Sequence, residues 1–254
     1  MKKVLLTLVL VFIVATSFYK RETAAVVNTK THLEAPTKFL AAENKGASIK
    51  ETGEEIFSSI SFEGINALNP DVFSKAFLGF NNLKKAGKLP EDSHLLTVCD
   101  FSLSSTQKRL WVIDLQAKKV LFNSLVAHGK NTGEEFAAKF SNTESSYQSS
   151  LGFYVTENTY NGNNGYSLKL EGMDSGYNDA AFQRAIVMHG AKYVSEDFIK
   201  SQRRIGRSWG CPAVPSALAE PIINTIKGKN CLFIYFPDRQ YLSDSQWLKN
   251  PENI

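Results

Sequence analysis

Long runs of a single charge are missing from this 254-residue sequence, in which 29 Lys and Arg are scattered among 25 Asp and Glu for a formal charge of +4. Without a basic stripe interleaved with aromatics, nucleic acid is not expected as a partner. Proline and glycine are modest at 8 and 16 residues, which excludes collagen-like and low-complexity classes. Cysteine is scarce too: Cys99, Cys211 and Cys231 are too few for a disulfide scaffold, and their odd number leaves at least one thiol unpaired or bridging to another chain. No Cys-x-x-Cys or His-x-x-x-His spacing occurs, so neither a metal nor another cofactor is expected. The one strongly apolar leader, Val4 to Phe18, falls short of the roughly 20 residues that comfortably span a bilayer.

What is present is the composition of a globular protein, 43% hydrophobic and 21% charged, long enough to bury a substantial core. Met1-Lys2-Lys3 ahead of the apolar run reads as an export signal over residues 1–19. Whether cleaved near Ala15-Thr16-Ser17 or retained as a membrane tether through residues 4–18, it directs the body to the periplasm or cell envelope. Residues 20–55 are polar and alanine-rich without apolar periodicity, as in a flexible stalk. A helical appendage is expected over 56–92: Asn69-Pro70 supplies a cap and a first-turn proline, Phe73, Ala76, Phe77 and Phe80 repeat at helical spacing, and Gly87 stops the helix.

From 93 to 240 the character is β-rich, with a short tail at 241–254. Strands are expected at Leu95–Phe101, Leu110–Leu115, Val120–Ala127, Phe153–Thr156, Tyr166–Leu170, Ala185–Met188 and Leu232–Phe236. Asp114 to Lys119 and Tyr160 to Gly165 read as hairpin turns. Short helices are expected near Ser195–Gln202 and Pro215–Lys227, the second broken or delayed by Pro221. The fold class is therefore mainly β with peripheral helices. Cys99 and Cys231 lie in apolar strand segments, where Cys packs as a small hydrophobe, and a disulfide between them needs Cα atoms within about 7 Å.

Cys211 is set apart by its surroundings. Gly206-Arg-Ser-Trp-Gly-Cys-Pro-Ala-Val214 places it in a tight glycine-containing loop, and Ile186-Val-Met-His-Gly190 ends an apolar strand on His189. An ordinary thiol, with a pKa of about 8.5, is mostly protonated at neutral pH, so a nearby imidazole or cation is what makes it a nucleophile. His189 is one candidate base and Arg203, Arg204 and Arg207 are nearby cations in sequence, while His128 in Val126-Ala-His-Gly129 is a rival base that spacing leaves open. The N–H groups of Gly210 and Cys211 are candidate oxyanion donors.

A His-Gly at a strand end followed by Ser208-Trp209-Gly210-Cys211 resembles the L,D-transpeptidase catalytic domain, whose usual signature is His-Gly and then Ser/Thr-His-Gly-Cys. Trp209 replaces the usual histidine, and Gly206 to Ala213 is similar to a variant branch with Gly-Arg-Ser-x-Gly-Cys-Pro-Ala. The likeness runs from about Leu95 to Phe236 through Arg109 to Asp114, Val126 to Gly129, Phe140 to Asn142 and Ser149 to Phe153. The resemblance implies an L,D-transpeptidase-like β-sandwich and a ping-pong acyl transfer on peptidoglycan stem peptides. Cys211 would attack the carbonyl of the L-centre of a diamino acid, His189 would be the base, and the Gly190 carbonyl would orient its ring. Arg207 would steady the loop or meet a substrate carboxylate, with Ser208, Trp209, Tyr193 and His128 lining or supporting the site. An amine acceptor gives a cross-link, water gives an L,D-carboxypeptidase, and a protein lysine gives anchoring. A non-catalytic wall-binding module is the reading from another class, distinguished by an inert Cys211 where an activated thiol alkylates at mildly acidic pH.

Overall fold

Thr52 and Glu55 open the first helix with a reciprocal cap: the Thr52 N–H donates to the Glu55 carboxylate at 2.7 Å and the Glu55 N–H donates to the Thr52 hydroxyl. The computed structural model describes residues 52–249, so the signal or tether and nearly all of the expected stalk lie outside the described residues. Helix α1 (Gly53–Ser59) thus begins inside the last residues expected in the stalk, because the Thr52-x-x-Glu55 capping box starts a helix without needing an apolar repeat. Helix α2 (Pro70–Lys85) starts as expected, with the Asn69 side chain accepting from the Asp71 and Val72 N–H groups.

Eight strands form one sheet: β1 (Leu95–Asp100), β2 (Leu110–Asp114), β3 (Lys119–Ser124), β4 (Gly152–Gly162), β5 (Gly165–Gly172), β6 (Val187–Ala191), β7 (Ala213–Pro215) and β8 (Cys231–Tyr235). Their order is β3-β2-β1-β8-β4-β5-β6-β7, antiparallel except for the β1–β8 and β6–β7 pairs. The chain leaving β3 turns back to the far edge, where Ala127 bridges Ala213 and its N–H donates to the Ala213 carbonyl at 2.8 Å. The sheet is thereby nearly closed, and its two curved halves enclose the apolar core between them. The mainly-β class read from the sequence holds.

Helix α2 is part of that core rather than an addition beside it. Phe73, Ala76, Phe80 and Leu83 are buried in the same apolar cluster as Val98, Phe153 and Phe233. Each such ring contributes on the order of 2–3 kcal/mol by leaving water. Gly79 marks the closest approach, since a Cβ there would lie 2.0 Å from the Phe153 ring. The C-terminal residues are equally integrated. Helix α5 (Arg239–Asp244) buries Tyr241, and the Trp247 indole donates to the Met173 carbonyl at 2.7 Å.

The remaining helices are α3 (Glu196–Gln202) and α4 (Ser216–Ile226). Pro221 neither splits nor delays α4, which runs unbroken through it. Burial of Ile222, Ile223 and Ile226 supplies the packing energy that offsets one missing backbone hydrogen bond. All three cysteines are free thiols. Cys231 pairs with Leu96 and Cys99 with Ile234 across β1–β8, so three strand positions, about 10 Å, separate Cys99 from Cys231 along the sheet.

Candidate active site

His189 lies within β6, not at its end as the sequence suggested, because β6 begins two residues later and runs on to Ala191. The strand extends because its far edge is paired: His189 faces Ser167 on β5 and Ala213 on β7. Gly190 permits that edge to carry α4, since a Cβ there would sit 2.9 Å from the Ala219 Cβ. The His189 ring is buried, with Nδ1 3.0 Å from the Gly190 carbonyl oxygen. A carbonyl only accepts, so Nδ1 carries the proton and Nε2 keeps the lone pair. Burial pulls the imidazole pKa down and the Gly190 carbonyl opposes this, so the neutral ring is favoured.

The Cys211 loop is held by a short chain of hydroxyl contacts. Ser208 Oγ accepts from the Gly210 N–H at 3.0 Å and donates to the Cys211 carbonyl at 2.6 Å. Ser149 Oγ accepts from the Gly129 N–H at 3.0 Å and donates to the Gly210 carbonyl at 3.1 Å. Gly210 has φ +126°, and a Cβ there would lie 2.7 Å from the Gln148 carbonyl oxygen, so conformation and space both call for glycine. Because Ser208 takes the Gly210 N–H, that donor, expected from the sequence to face an oxyanion, is spent inside the loop.

The parallel pairing of His189 with Ala213 sets Cys211 alongside Val187, two strand positions and about 6.6 Å from His189 along the backbone. The thiol accepts from the Val187 N–H at 3.5 Å and lies 3.8 Å from the Ala185 carbonyl. Burial pushes its pKa up, while the Val187 N–H, the Arg184 charge and the Cys211 N–H pull it down. With the thiol raised and the imidazole lowered, the resting pair is neutral. The thiolate is therefore not preformed at mildly acidic pH and depends on a base during attack, so turnover rather than alkylation separates an enzyme from a binding module.

The rival histidine has another task. Arg109, fully buried, donates to His128 Nδ1 at 2.7 Å and to the Val126 and Leu103 carbonyls. His128 Nε2 faces the Gly133 carbonyl at 3.3 Å, so both ring nitrogens are engaged. Burial and the adjacent Arg109 depress its pKa to about 4. His128 is a strut under the loop that carries Gly129.

Arg207 and Arg204 both pair with Glu134, at 2.6 and 3.1 Å, and Arg207 also donates to the Lys130 and Gly133 carbonyls. Arg203 is exposed at the left-handed end of α3. None of the three arginines that precede Cys211 is the cation that acts on its thiol. That cation is Arg184, which sequence reasoning missed, and whose guanidinium binds the Ser141 and Gln148 carbonyls and the Ser146 and Ser150 hydroxyls. Nothing in the spacing around Arg184 signals this, because its partners lie 34 to 43 residues away. Tyr193 packs where a Gly206 Cβ would be, and burial together with Cys211 pushes its pKa up to about 12.

Arg184, Ala185 and Ile186 line a cavity of about 360 Å³ with Tyr147 and Trp209 at its rim. Trp209 is 72% exposed, meets Tyr147 edge-on at 5.6 Å, and Lys130 Nζ sits 4.1 Å from the Tyr147 ring centre. The cavity adjoins the thiol through Ala185. It offers aromatic walls, the Arg184 guanidinium and the Glu144 carboxylate beside a nucleophile, and an imidazole whose Nε2 keeps its lone pair lies on the neighbouring strand. Among the described residues no group of three or more His, Cys, Asp or Glu is placed to hold a metal ion.

The sequence matches the family described as the L,D-transpeptidase catalytic domain over residues 65–235, a span that takes in α2 as well as the sheet. No curated protein matches. Solved structures similar to the chain include an L,D-transpeptidase from Mycobacterium smegmatis, at 12% identity and TM-score 0.35, covering 57% of this chain and 59% of that one. The helical cell shape determining protein Pgp2 from Campylobacter jejuni aligns at 14% identity and TM-score 0.39 over 62% of this chain and 54% of its own. An L,D-transpeptidase from Xylanimonas cellulosilytica aligns at 10% identity and TM-score 0.31 over 72% of this chain and 90% of its own. The chain thus spans less than two thirds of the first two structures. Because the family match extends from ahead of α2 to the end of β8 and contains both His189 and Cys211, this chain belongs to the L,D-transpeptidase catalytic-domain family.

Proposed function

We propose that the chain is an exported cysteine acyltransferase that cross-links peptidoglycan stem tetrapeptides. The observation that carries the reading is the Nδ1 contact of His189 with the Gly190 carbonyl, which leaves Nε2 as a base on the strand beside Cys211. Since the resting thiol and imidazole are neutral, attack and proton transfer are coupled: Nε2 takes the thiol proton as Sγ bonds to the carbonyl carbon of the L-centre of the diamino acid. Collapse of the tetrahedral intermediate breaks the C–N bond to the terminal D-alanine, whose amine leaves with the proton from His189. The thioester at Cys211 is then attacked by an amine of a second stem. His189 removes that amine's proton and returns it to the departing thiolate.

The Cys211 N–H is the remaining one of the two expected oxyanion donors, and its closeness to the thiol suits it to a developing charge on the attacked carbonyl. Arg184 favours the thiolate as it forms, and Arg207 keeps the loop in place. Among the described residues no helix is long and apolar enough to cross a membrane, and export rests on the charged and apolar leader over 1–19. The test is product analysis by mass spectrometry with purified disaccharide tetrapeptide as donor and acceptor. Loss of D-alanine with dimer formation, abolished by Cys211→Ala, supports cross-linking. Loss with tripeptide alone makes the enzyme an L,D-carboxypeptidase, and turnover retained by Cys211→Ala overturns the assignment.

A further inference from the structure

A second groove, about 490 Å³, runs along β5 and is lined by Glu157, Asn158, Lys169, Glu171, Phe182 and Gln183, among others. Gln183 also lines the cavity beside Cys211, so the two depressions are neighbours that share that residue. They are tied through the sheet as well: Lys169 is the cross-strand partner of Val187, whose N–H meets the thiol. Two of the few large exposed hydrophobic side chains stand here, Phe182 at 55% and Tyr160 at 38% exposure. Lys169 Nζ lies between them, 5.8 Å from the Phe182 ring centre and 5.7 Å from that of Tyr160.

The carboxylates of the groove already have partners. Glu157 and Glu171 both pair with Lys229, and the Asp179 carboxylate accepts from Asn142 Nδ2 and the Gly176 N–H. A free ammonium would therefore have to compete with internal cations and donors. What the groove itself offers is the exposed Phe182 ring, the Lys169 ammonium and the amides of Asn158 and Gln183, a combination able to stack on one face of a hydroxylated, amide-bearing ligand and to hydrogen-bond its edges.

We propose that this groove binds the N-acetylated sugar of the peptidoglycan fragment whose stem enters the cavity at Cys211. The inference rests on the acyl-transfer reading for the identity of the substrate. Three stem residues separate the sugar from the reacting carbonyl, about 10 Å of extended chain, a length on the scale of neighbouring depressions that share Gln183. Phe182 is a positioning residue here, acting on the sugar and not on the reacting bond.

The test is a titration of the full chain with tetra-N-acetylchitotetraose, followed by backbone amide shifts. The expected result is saturable binding, on the order of millimolar, with shifts at residues 157–183, weakened about fivefold in Phe182→Ala. In turnover, Phe182→Ala should lower kcat/KM about fivefold for disaccharide tetrapeptide and leave it unchanged for the sugar-free tetrapeptide. No saturable shifts, shifts unaffected by Phe182→Ala, or shifts produced instead by Nα-acetyl-lysine amide would each overturn the proposal. Sugar binding without any acyl transfer would leave the groove assignment standing and overturn the proposed reaction, because the titration does not use Cys211.

Discussion

Gly210→Ala is the most informative single change, because it adds one methyl group at the point where the nucleophile's loop touches the rest of the protein. At φ +126° a Cβ residue pays about 1–3 kcal/mol in backbone strain. The added carbon would also lie 2.7 Å from the Gln148 carbonyl oxygen and 3.0 Å from Ile186 Cδ1. The carbonyl cannot simply retreat, since Arg184 donates to it at 2.8 Å and is itself bound to Ser141 and Ser150. Movement therefore falls on Gly206 to Cys211. The expected result is a stability loss of about 3 kcal/mol in urea unfolding and a fall of roughly 100-fold in kcat, the scale for a displacement of about 1 Å in a reacting group. Ser208→Ala is the companion variant: it deletes two hydrogen bonds without a clash and should cost about 1–2 kcal/mol. An unchanged urea midpoint and unchanged turnover for Gly210→Ala would refute the account of how Cys211 is held.

Separate fates are expected for the two histidines. His189→Ala should unfold at the wild-type urea midpoint within about 1 kcal/mol but lose turnover, whereas His128→Ala, which strands the fully buried Arg109 partner, should lose about 3 kcal/mol. Alkylation of Cys211 by iodoacetamide should climb with pH and still be rising above the ordinary thiol range near 8.5, because burial raises its pKa; a plateau at mildly acidic pH would contradict this. Asp174 is buried against the Phe153 N–H, Ser245 and Tyr241, and burial pushes its pKa up to about 6 from 3.8. The folded state then holds the proton more tightly than the unfolded one. Its contribution is present below about pH 4 and is lost as pH rises through 6, a change of about 3 kcal/mol. Urea midpoints for wild type and Asp174→Asn should diverge over that window, and parallel curves would refute the linkage.

Local patterns carried most of the architecture. The apolar runs at Leu95 and Leu110 located β1 and β2 to within a residue or two, because alternation is written locally, whereas β4, expected to end at Thr156, runs on to Gly162 because pairing with β5 carries polar residues into the strand. Three-residue β7 left no such trace, being defined only by its partner β6, and the start of β6 shifted because pairing rather than propensity sets its ends. In the site, the Cys211 loop and His189 were legible as motifs. Arg184, Arg109 and Ser149 were not, since each acts through contacts that close only when distant segments meet. Trp209 illustrates the opposite case: its departure from the family pattern is plain in the sequence, yet only the fold places it outward at the cavity rim against Tyr147.

The most direct test of the central claim is capture of the acyl-enzyme. Full-length chain mixed with disaccharide tetrapeptide, quenched in acid and analysed by intact mass and peptide mapping, should carry the donor minus D-alanine as a thioester on Cys211, with none in Cys211→Ala. An adduct on another residue, or products formed by Cys211→Ala without any adduct, would contradict the account.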